Sequence, residues 1–97
     1  MIIDFEDRGT EDVYNGINSR QARKTLPVEW RRIALRKLYF LENAANFEDL
    51  RMPPGNHLEA LHGERRGQHS IRINDRYRIC FLWTERGPKR VAIVDYH

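Results

Sequence analysis

The chain has 97 residues, enough for a single small domain over residues 1–97, and its 40% hydrophobic and 32% charged residues are typical of a folded protein rather than a disordered one. Its apolar runs are far shorter than the roughly 20 residues that cross a bilayer, its start lacks the pattern of a secretion signal, and its single cysteine, Cys80, excludes an internal disulfide or a multi-thiolate metal site. These features, with a formal net charge of +3, predict a cytoplasmic protein without membrane contact.

The first half of the chain is predicted to be mostly helical. MIIDF is short and β-branched, which favours a first strand, and residues 12–17 favour one or two helical turns ended by Gly16. Residues 19–24 are polar and basic, typical of an exposed connection or the start of a helix. The clearest helix runs from about Pro27 to Ala45, with a side-chain cap offered by Thr25. Its apolar residues recur at spacings of three and four and predict a core-facing stripe: Trp30, Ile33, Ala34, Leu38, Leu41 and Ala45.

The second half changes to a period of two, which predicts strands. NFEDL favours one last helical turn, and RMPPGN, residues 51–56, is a predicted loop. The predicted strands are residues 57–61, 70–74, 77–84 and 90–96, separated by turns. Such strands form an antiparallel meander, and the helices provide the crossover for parallel pairing of the first strand. The prediction is therefore an α+β domain of two layers, with helices on one face of a mainly antiparallel sheet.

Alternation along these strands predicts a basic face turned away from the helices. Tyr77 and Ile79 should meet the helices, so Arg78 points the other way, together with Arg72 of the preceding strand. Residues 51–90 hold 9 Lys and Arg against 4 Asp and Glu, whereas residues 1–50 hold 8 against 9. Because the planar fork of arginine suits phosphate, this half predicts a surface for a polyanion. A solvated basic face without a ligand is the alternative.

The chain end, IVDYH, adds groups that exchange protons directly after an apolar strand. RNA can be cleaved without metal by attack of its own 2′-hydroxyl on the neighbouring phosphate, if a base, an acid and cations surround that phosphate. Histidine suits the acid and base roles, so His97, Tyr96, Asp95 and His62 beside the arginines favour an RNase. The chain has no phosphate-binding glycine motif, zinc motif or serine-nucleophile motif.

Each of these side chains also has a structural interpretation. Tyr96 could be a strand-end aromatic, and Asp95 could pair with an arginine. His57 and His69 are predicted as surface histidines, and Cys80 as a small packing residue.

Taken together, the segments DLRMPPGNHLEALHGERRGQHSIRINDRYRICFLW and VAIVDYH, with the looser MIIDFEDRGTEDVYNG start, resemble the HigB-like branch of the RelE/ParE toxin superfamily. Members are toxins of bacterial type II toxin–antitoxin modules, also called plasmid maintenance killer proteins. The resemblance implies a microbial-RNase-like fold and an endoribonuclease that cleaves mRNA in the ribosomal A site without metal or cofactor. It also implies a cognate helix-turn-helix antitoxin of the HigA type, through which the complex binds operator DNA.

The resemblance also implies roles for individual residues. The terminal Asp-Tyr-His of the family falls on Asp95, Tyr96 and His97, and its strand arginine, in the ND-x-[WY]-R-I pattern, falls on Arg78. His97 or Asp95 is then the candidate base, Tyr96 a stacking residue, Arg78 a phosphate clamp, and His62 or His97 the candidate acid. The predicted RNA-binding residues are Arg65, Arg66, Arg72 and His57.

Three positions depart from the family pattern. His62 replaces the basic residue before the first glycine of the turn, Glu59 stands where some members carry a histidine, and His57 replaces a common arginine. These departures leave the assignment of acid and base open. Two other functions also stay open: a toxin acting on a protein target such as DNA gyrase, as ParE-like relatives do, and a non-catalytic module that binds RNA or the ribosome.

Overall fold

The computed structural model describes residues 1–96 as helices packed on one antiparallel sheet. The helices are α1 (Arg8–Tyr14), α2 (Arg20–Thr25) and α3 (Arg31–Asn43), and the strands are β1 (Glu59–Ala60), β2 (His69–Arg72), β3 (Tyr77–Thr84) and β4 (Gly87–Asp95). The strands follow one another in the order β1-β2-β3-β4. The predicted α+β fold is therefore confirmed. Within residues 1–96, every helix is too short or too polar to cross a membrane.

The N-terminal segment lies parallel to β4, but the predicted regular first strand is wrong. Only one parallel bridge forms, between Phe5 and Val91. β4 carries a bulge at this point, where Arg90 adopts φ 54° and donates its backbone N–H to the Asp4 carboxylate at 2.6 Å. A bulge interrupts the regular ladder, so the segment cannot pair residue by residue.

The first two helices differ from the prediction because of their caps. Asp7 accepts a hydrogen bond from the backbone N–H of Thr10 at 2.7 Å, so α1 begins at Arg8, four residues before the predicted turn. Ser19 caps α2 in the same way through the N–H of Ala22 at 3.0 Å. The polar segment after residue 19 is thus a helix of its own.

The long helix begins later than predicted, and Thr25 does not cap it. Thr25 is the last residue of α2 and donates its hydroxyl to the Gln21 carbonyl at 2.9 Å. Leu26 is extended and buried, as expected for a residue that precedes proline. A 3-10 turn over Val28–Trp30 then leads into α3. The helix also ends earlier, at Asn43, which leaves Ala45 exposed outside it.

The core lies between α3 and the inner face of the sheet. Ala34, Leu38 and Leu41 of the predicted stripe are fully buried, while Trp30 and Ile33 are half-buried at its margin. They face the inward residues of the strands and of the bend after β2, which form one cluster with them: Ile71, Ile73, Tyr77, Ile79, Phe81, Val91 and Ile93. The opposite face of β2 and β3 points away from this core.

Candidate active site

Strand register brings the two predicted arginines together on the face away from the helices. Arg72 pairs with Arg78 across β2 and β3, and Arg78 pairs with Val94 across β3 and β4. The adjacent row consists of Ser70, Cys80 and Ala92, all small and buried. We call this side, with its rows Arg72–Arg78–Val94 and Ser70–Cys80–Ala92, the arginine face.

Arg78 is held in place by three neighbours. Its Nε donates to Ser70 Oγ at 2.7 Å and its Nη2 to the His57 carbonyl at 2.6 Å. The third neighbour is Glu59, whose Oε1 lies 3.4 Å from Nη1. The Arg78 side chain is only 12% exposed. Two of the three acceptors are neutral, so among the ion pairs of residues 1–96 only Glu59 opposes the positive charge of this guanidinium.

Arg65 brings a second guanidinium to the arginine face from the turn before β2. It binds Glu6 Oε2 at 3.0 Å and Gln68 Oε1 at 3.1 Å. Burial alone would lower the pKa of Arg65, but the hydrogen bond to Glu6, followed by electrostatic interactions with Cys80, Glu6 and Tyr96, raises it above its ordinary value. Arg65 therefore stays charged and lies within electrostatic reach of both Cys80 and Tyr96.

Cys80 is an uncharged, buried residue of the arginine face. Burial raises the pKa of its thiol, and the nearby charges of Arg65 and Arg78 only partly oppose this shift. The thiol is fully buried. Cys80 is therefore a packing residue, as the sequence predicted, and it stays protonated near neutral pH.

The other predicted RNA-binding residues lie at the margins. Arg72 forms an ion pair with Asp75 in the turn before β3 and remains partly exposed. Arg66 and His62 are exposed in the turn that follows β1. His57 is exposed as predicted and contributes its carbonyl, rather than its imidazole, to the contact with Arg78. His69 was also predicted on the surface, but it is half-buried against the Phe47 ring, 4.7 Å between centroids.

The chain end is anchored by Arg76. Its Nε and Nη2 donate to the two carboxylate oxygens of Asp95 at 2.9 and 2.8 Å, and its carbonyl accepts a hydrogen bond from the N–H of Tyr96. Asp95 is paired with Tyr77, whose side chain belongs to the core, so Asp95 projects toward the helix side of the sheet edge. The Tyr96 side chain is about half exposed. His97 lies outside the described residues.

Four residues of this site were not among the predicted site residues. Ser70 follows from the same alternation that placed Arg72 and Arg78, so its position was available from the sequence. Glu59, Arg76 and Glu6 gave no such signal, because their partners lie 19 to 59 residues away in the chain. Within residues 1–96, no group of three or more His, Cys, Asp or Glu side chains is arranged to hold a metal ion.

Helices packed on one side of a short antiparallel sheet, with an anchored arginine on the other, make a small α+β protein whose architecture is consistent with a RelE-like fold. The chain belongs to the HigB-like toxin family, whose model, described as the RelE-like toxin HigB of type II toxin–antitoxin systems, matches residues 3–97. Similar relatives include Toxin HigB-1 of Vibrio cholerae, 35% identical over 85 residues, which are 88% of this chain and 86% of the relative.

A second relative is an uncharacterised protein of Haemophilus influenzae. It is 38% identical over 58 residues, which cover 60% of this chain and 57% of the relative. The family match over nearly the whole chain confirms the resemblance seen in the sequence. The protein is therefore a toxin of a type II toxin–antitoxin system, and its partner is an antitoxin.

Proposed function

We propose that this toxin is an endoribonuclease of the cytoplasm, active as one domain over residues 1–97, that cleaves mRNA in the A site of the 70S ribosome and so inhibits translation. The observation that carries the proposal is the anchored guanidinium of Arg78 on the arginine face. A planar guanidinium binds phosphate oxygens in a fixed orientation. Held rigidly before the reaction, it stabilises the charge that grows on phosphorus without reorganising.

The reaction proceeds by attack of the 2′-hydroxyl on the adjacent phosphate, and no metal takes part. Tyr96, half-exposed at the end of β4, stacks on a base of the mRNA. Arg65, Arg66 and Arg72 bind neighbouring phosphates. His62 and His97 are the candidates for the acid that protonates the 5′-oxygen leaving group.

The ribosome supplies the orientation that the toxin lacks. The described arginine face belongs to a domain only 33 × 27 × 26 Å in extent, so it can contact few nucleotides of a flexible strand at once. Holding the mRNA in the A site makes the reaction effectively unimolecular, which lowers a barrier by up to about 7–11 kcal/mol. This physical advantage supports a ribosome-dependent enzyme over a free RNase.

The antitoxin is proposed to be a helix-turn-helix protein of the HigA type. It neutralises the toxin, and operator DNA is bound only through the complex of the two. The support for this part is the family to which the chain belongs.

The proposal is tested by primer extension on an mRNA in a purified translation system, with and without ribosomes. Arg78→Ala should reduce the cleavage rate by about 100- to 1000-fold, the usual cost of removing one charge-stabilising group. Arg78→Lys keeps the charge but loses the planar fork, so its cleavage rate should lie between those of the wild type and Arg78→Ala. His97→Ala should also be inactive. Arg20 is an exposed arginine on α2, so Arg20→Ala is the control and should cleave like the wild type.

Other results would favour the other functions. Cuts without ribosomes would make the toxin a free RNase. Ribosome binding with no mRNA fragments would indicate a non-catalytic module. Inhibition of DNA supercoiling by the pure protein, with intact mRNA, would point to a protein target such as gyrase.

A further inference from the structure

We propose that Glu59 is the general base that removes the proton from the attacking 2′-hydroxyl. This inference rests on the proposed function. Glu59 is paired with Ser70 in the register of β1 and β2, so both side chains project to the same side of the sheet, the arginine face. There its carboxylate lies 3.4 Å from the guanidinium of Arg78.

Glu59 also lies where a substrate can reach it. β1 is an edge strand of only two residues, and both of them are exposed. The Glu59 side chain is 58% exposed, whereas that of Arg78 is 12% exposed. A phosphate bound at Arg78 would therefore place its ribose close to an accessible carboxylate.

Other carboxylates around the sheet form ion pairs with arginines other than Arg78, among them Asp75, which pairs with Arg72. Glu6 binds Arg65 and lies 3.7 Å from Arg90. Asp95 accepts from Arg76 through both oxygens and projects toward the helix side of the sheet edge. Among the described residues, by contrast, the ion-pair partner of Glu59 is Arg78, at the long distance of 3.4 Å, and Arg78 is the proposed phosphate clamp itself. Glu59 is thus a carboxylate placed to act on a substrate held by Arg78.

In the resulting reaction, one proton is removed and one is donated, and one bond to phosphorus forms as another breaks. Glu59 accepts the proton of the 2′-hydroxyl, and the 2′-oxygen forms a new bond to phosphorus. The bond between phosphorus and the 5′-oxygen breaks, and a separate acid, His62 or His97, protonates that oxygen. The products are a 2′,3′-cyclic phosphate and a 5′-hydroxyl end. Arg78 has a double role, because it binds the phosphate and also holds the base beside it.

Single-turnover cleavage on programmed ribosomes tests the role of Glu59. Glu59→Gln and Glu59→Ala should both slow the cleavage step by about 100-fold or more, in the range for loss of a general base, with little change in ribosome affinity. Added formate should restore part of the rate of Glu59→Ala, because it supplies the missing carboxylate, and should not stimulate the wild type. Glu85→Gln is the matched control: it makes the same change of charge in the exposed turn at the far end of β3.

The outcomes separate this inference from the function on which it rests. If the wild type cleaves and Glu59→Gln cleaves equally fast or faster, Glu59 is only a counter-ion that competes with phosphate for Arg78, and the inference is overturned while the function stands. Loss of ribosome affinity without formate rescue would indicate a structural role and would also overturn it. If the wild type itself releases no fragments, both proposals fail together.

Discussion

Two arginines that lie two residues apart have different roles because their burial differs. The Arg76 side chain is 56% exposed and pairs with Asp95, and water screens such an exposed ion pair, so it contributes little to stability. Its value lies in fixing where the chain end lies. Arg78 is 12% exposed and binds two neutral oxygens, so its charge is held in place while, among residues 1–96, Glu59 alone forms an ion pair with it. The first arrangement suits anchoring and the second suits anion binding.

His69 gives the protein a predictable sensitivity to acid. Burial, and next the charge of Arg51, lower the pKa of its imidazole below 6.5 in the folded state. As the pH falls below about 6.5, the unfolded state binds a proton more readily than the folded state, so the free energy of unfolding decreases. His69→Gln should therefore show a smaller loss of stability between pH 7.5 and 5 than the wild type, measured by urea denaturation.

The control for this experiment is His62→Gln, which removes an exposed histidine. It should lose stability with acid as the wild type does. An unchanged acid sensitivity of His69→Gln would mean that other groups cause it.

At the scale of elements, the helical layer depends on a close approach between α1 and α2. A side chain added at Gly9 would lie 2.8 Å from the Gln21 carbonyl and would overlap Thr25 Oγ1. Only hydrogen fits there. The contact continues to the sheet, because the hydroxyl of Thr10 accepts a hydrogen bond from the N–H of Ile93 at 2.9 Å. The strand that leads to the chain end is thus positioned by the first helix.

Gly9→Ala should destabilise the fold by about 1–3 kcal/mol, the usual cost of overpacking a tight contact. The reason is that one neighbour is a backbone carbonyl, which cannot rotate away as a side chain can. The free energy of unfolding from urea titration is the measurement.

Gly55→Ala is the matched control, since no atom lies within 4 Å of an added side chain there. It should leave stability unchanged or raise it by up to about 1 kcal/mol. Equal stability of the two variants would show that the α1–α2 contact can open without cost.

At the scale of the whole molecule, the location of charge matters more than its sum. The net charge is only +3, yet Arg65, Arg66, Arg72 and Arg78 lie on or beside one face of the sheet. A local concentration of cations creates a field that a uniform distribution of the same charge does not. Substitutions of arginines on this side should therefore weaken RNA binding, whereas equal changes of charge elsewhere should leave it unchanged.

Arg66→Glu and Arg20→Glu test this expectation with identical changes in net charge. Both side chains belong to exposed residues, Arg66 in the turn between β1 and β2 and Arg20 on α2. Arg66→Glu should weaken ribosome binding and reduce the slope of log affinity against log salt by about 1, as for the loss of one phosphate contact. Arg20→Glu should bind like the wild type. If both variants lose affinity equally, net charge governs binding.

The sequence by itself determined the elements with a strong period and the face of the sheet on which the strand arginines lie. The limits of β3 and the core stripe of α3 follow from local alternation and spacing, which depend on near neighbours alone. The same alternation placed Arg72 and Arg78 on one face, and the motif around Arg78 indicated the family that the comparison confirmed. The caps of α1 and α2 were missed, although Asp7 and Ser19 were visible in the sequence.

Only the tertiary structure decided which residues meet. Glu59 beside Arg78, Glu6 on Arg65 and Arg76 on Asp95 are contacts between segments 19 to 59 residues apart, and no local pattern encodes such separations. The N-terminal segment failed to form a strand for the same reason, because the bulge that interrupts its pairing lies at Arg90. Local sequence fixes which way a side chain points, whereas the packing of distant segments fixes what it touches.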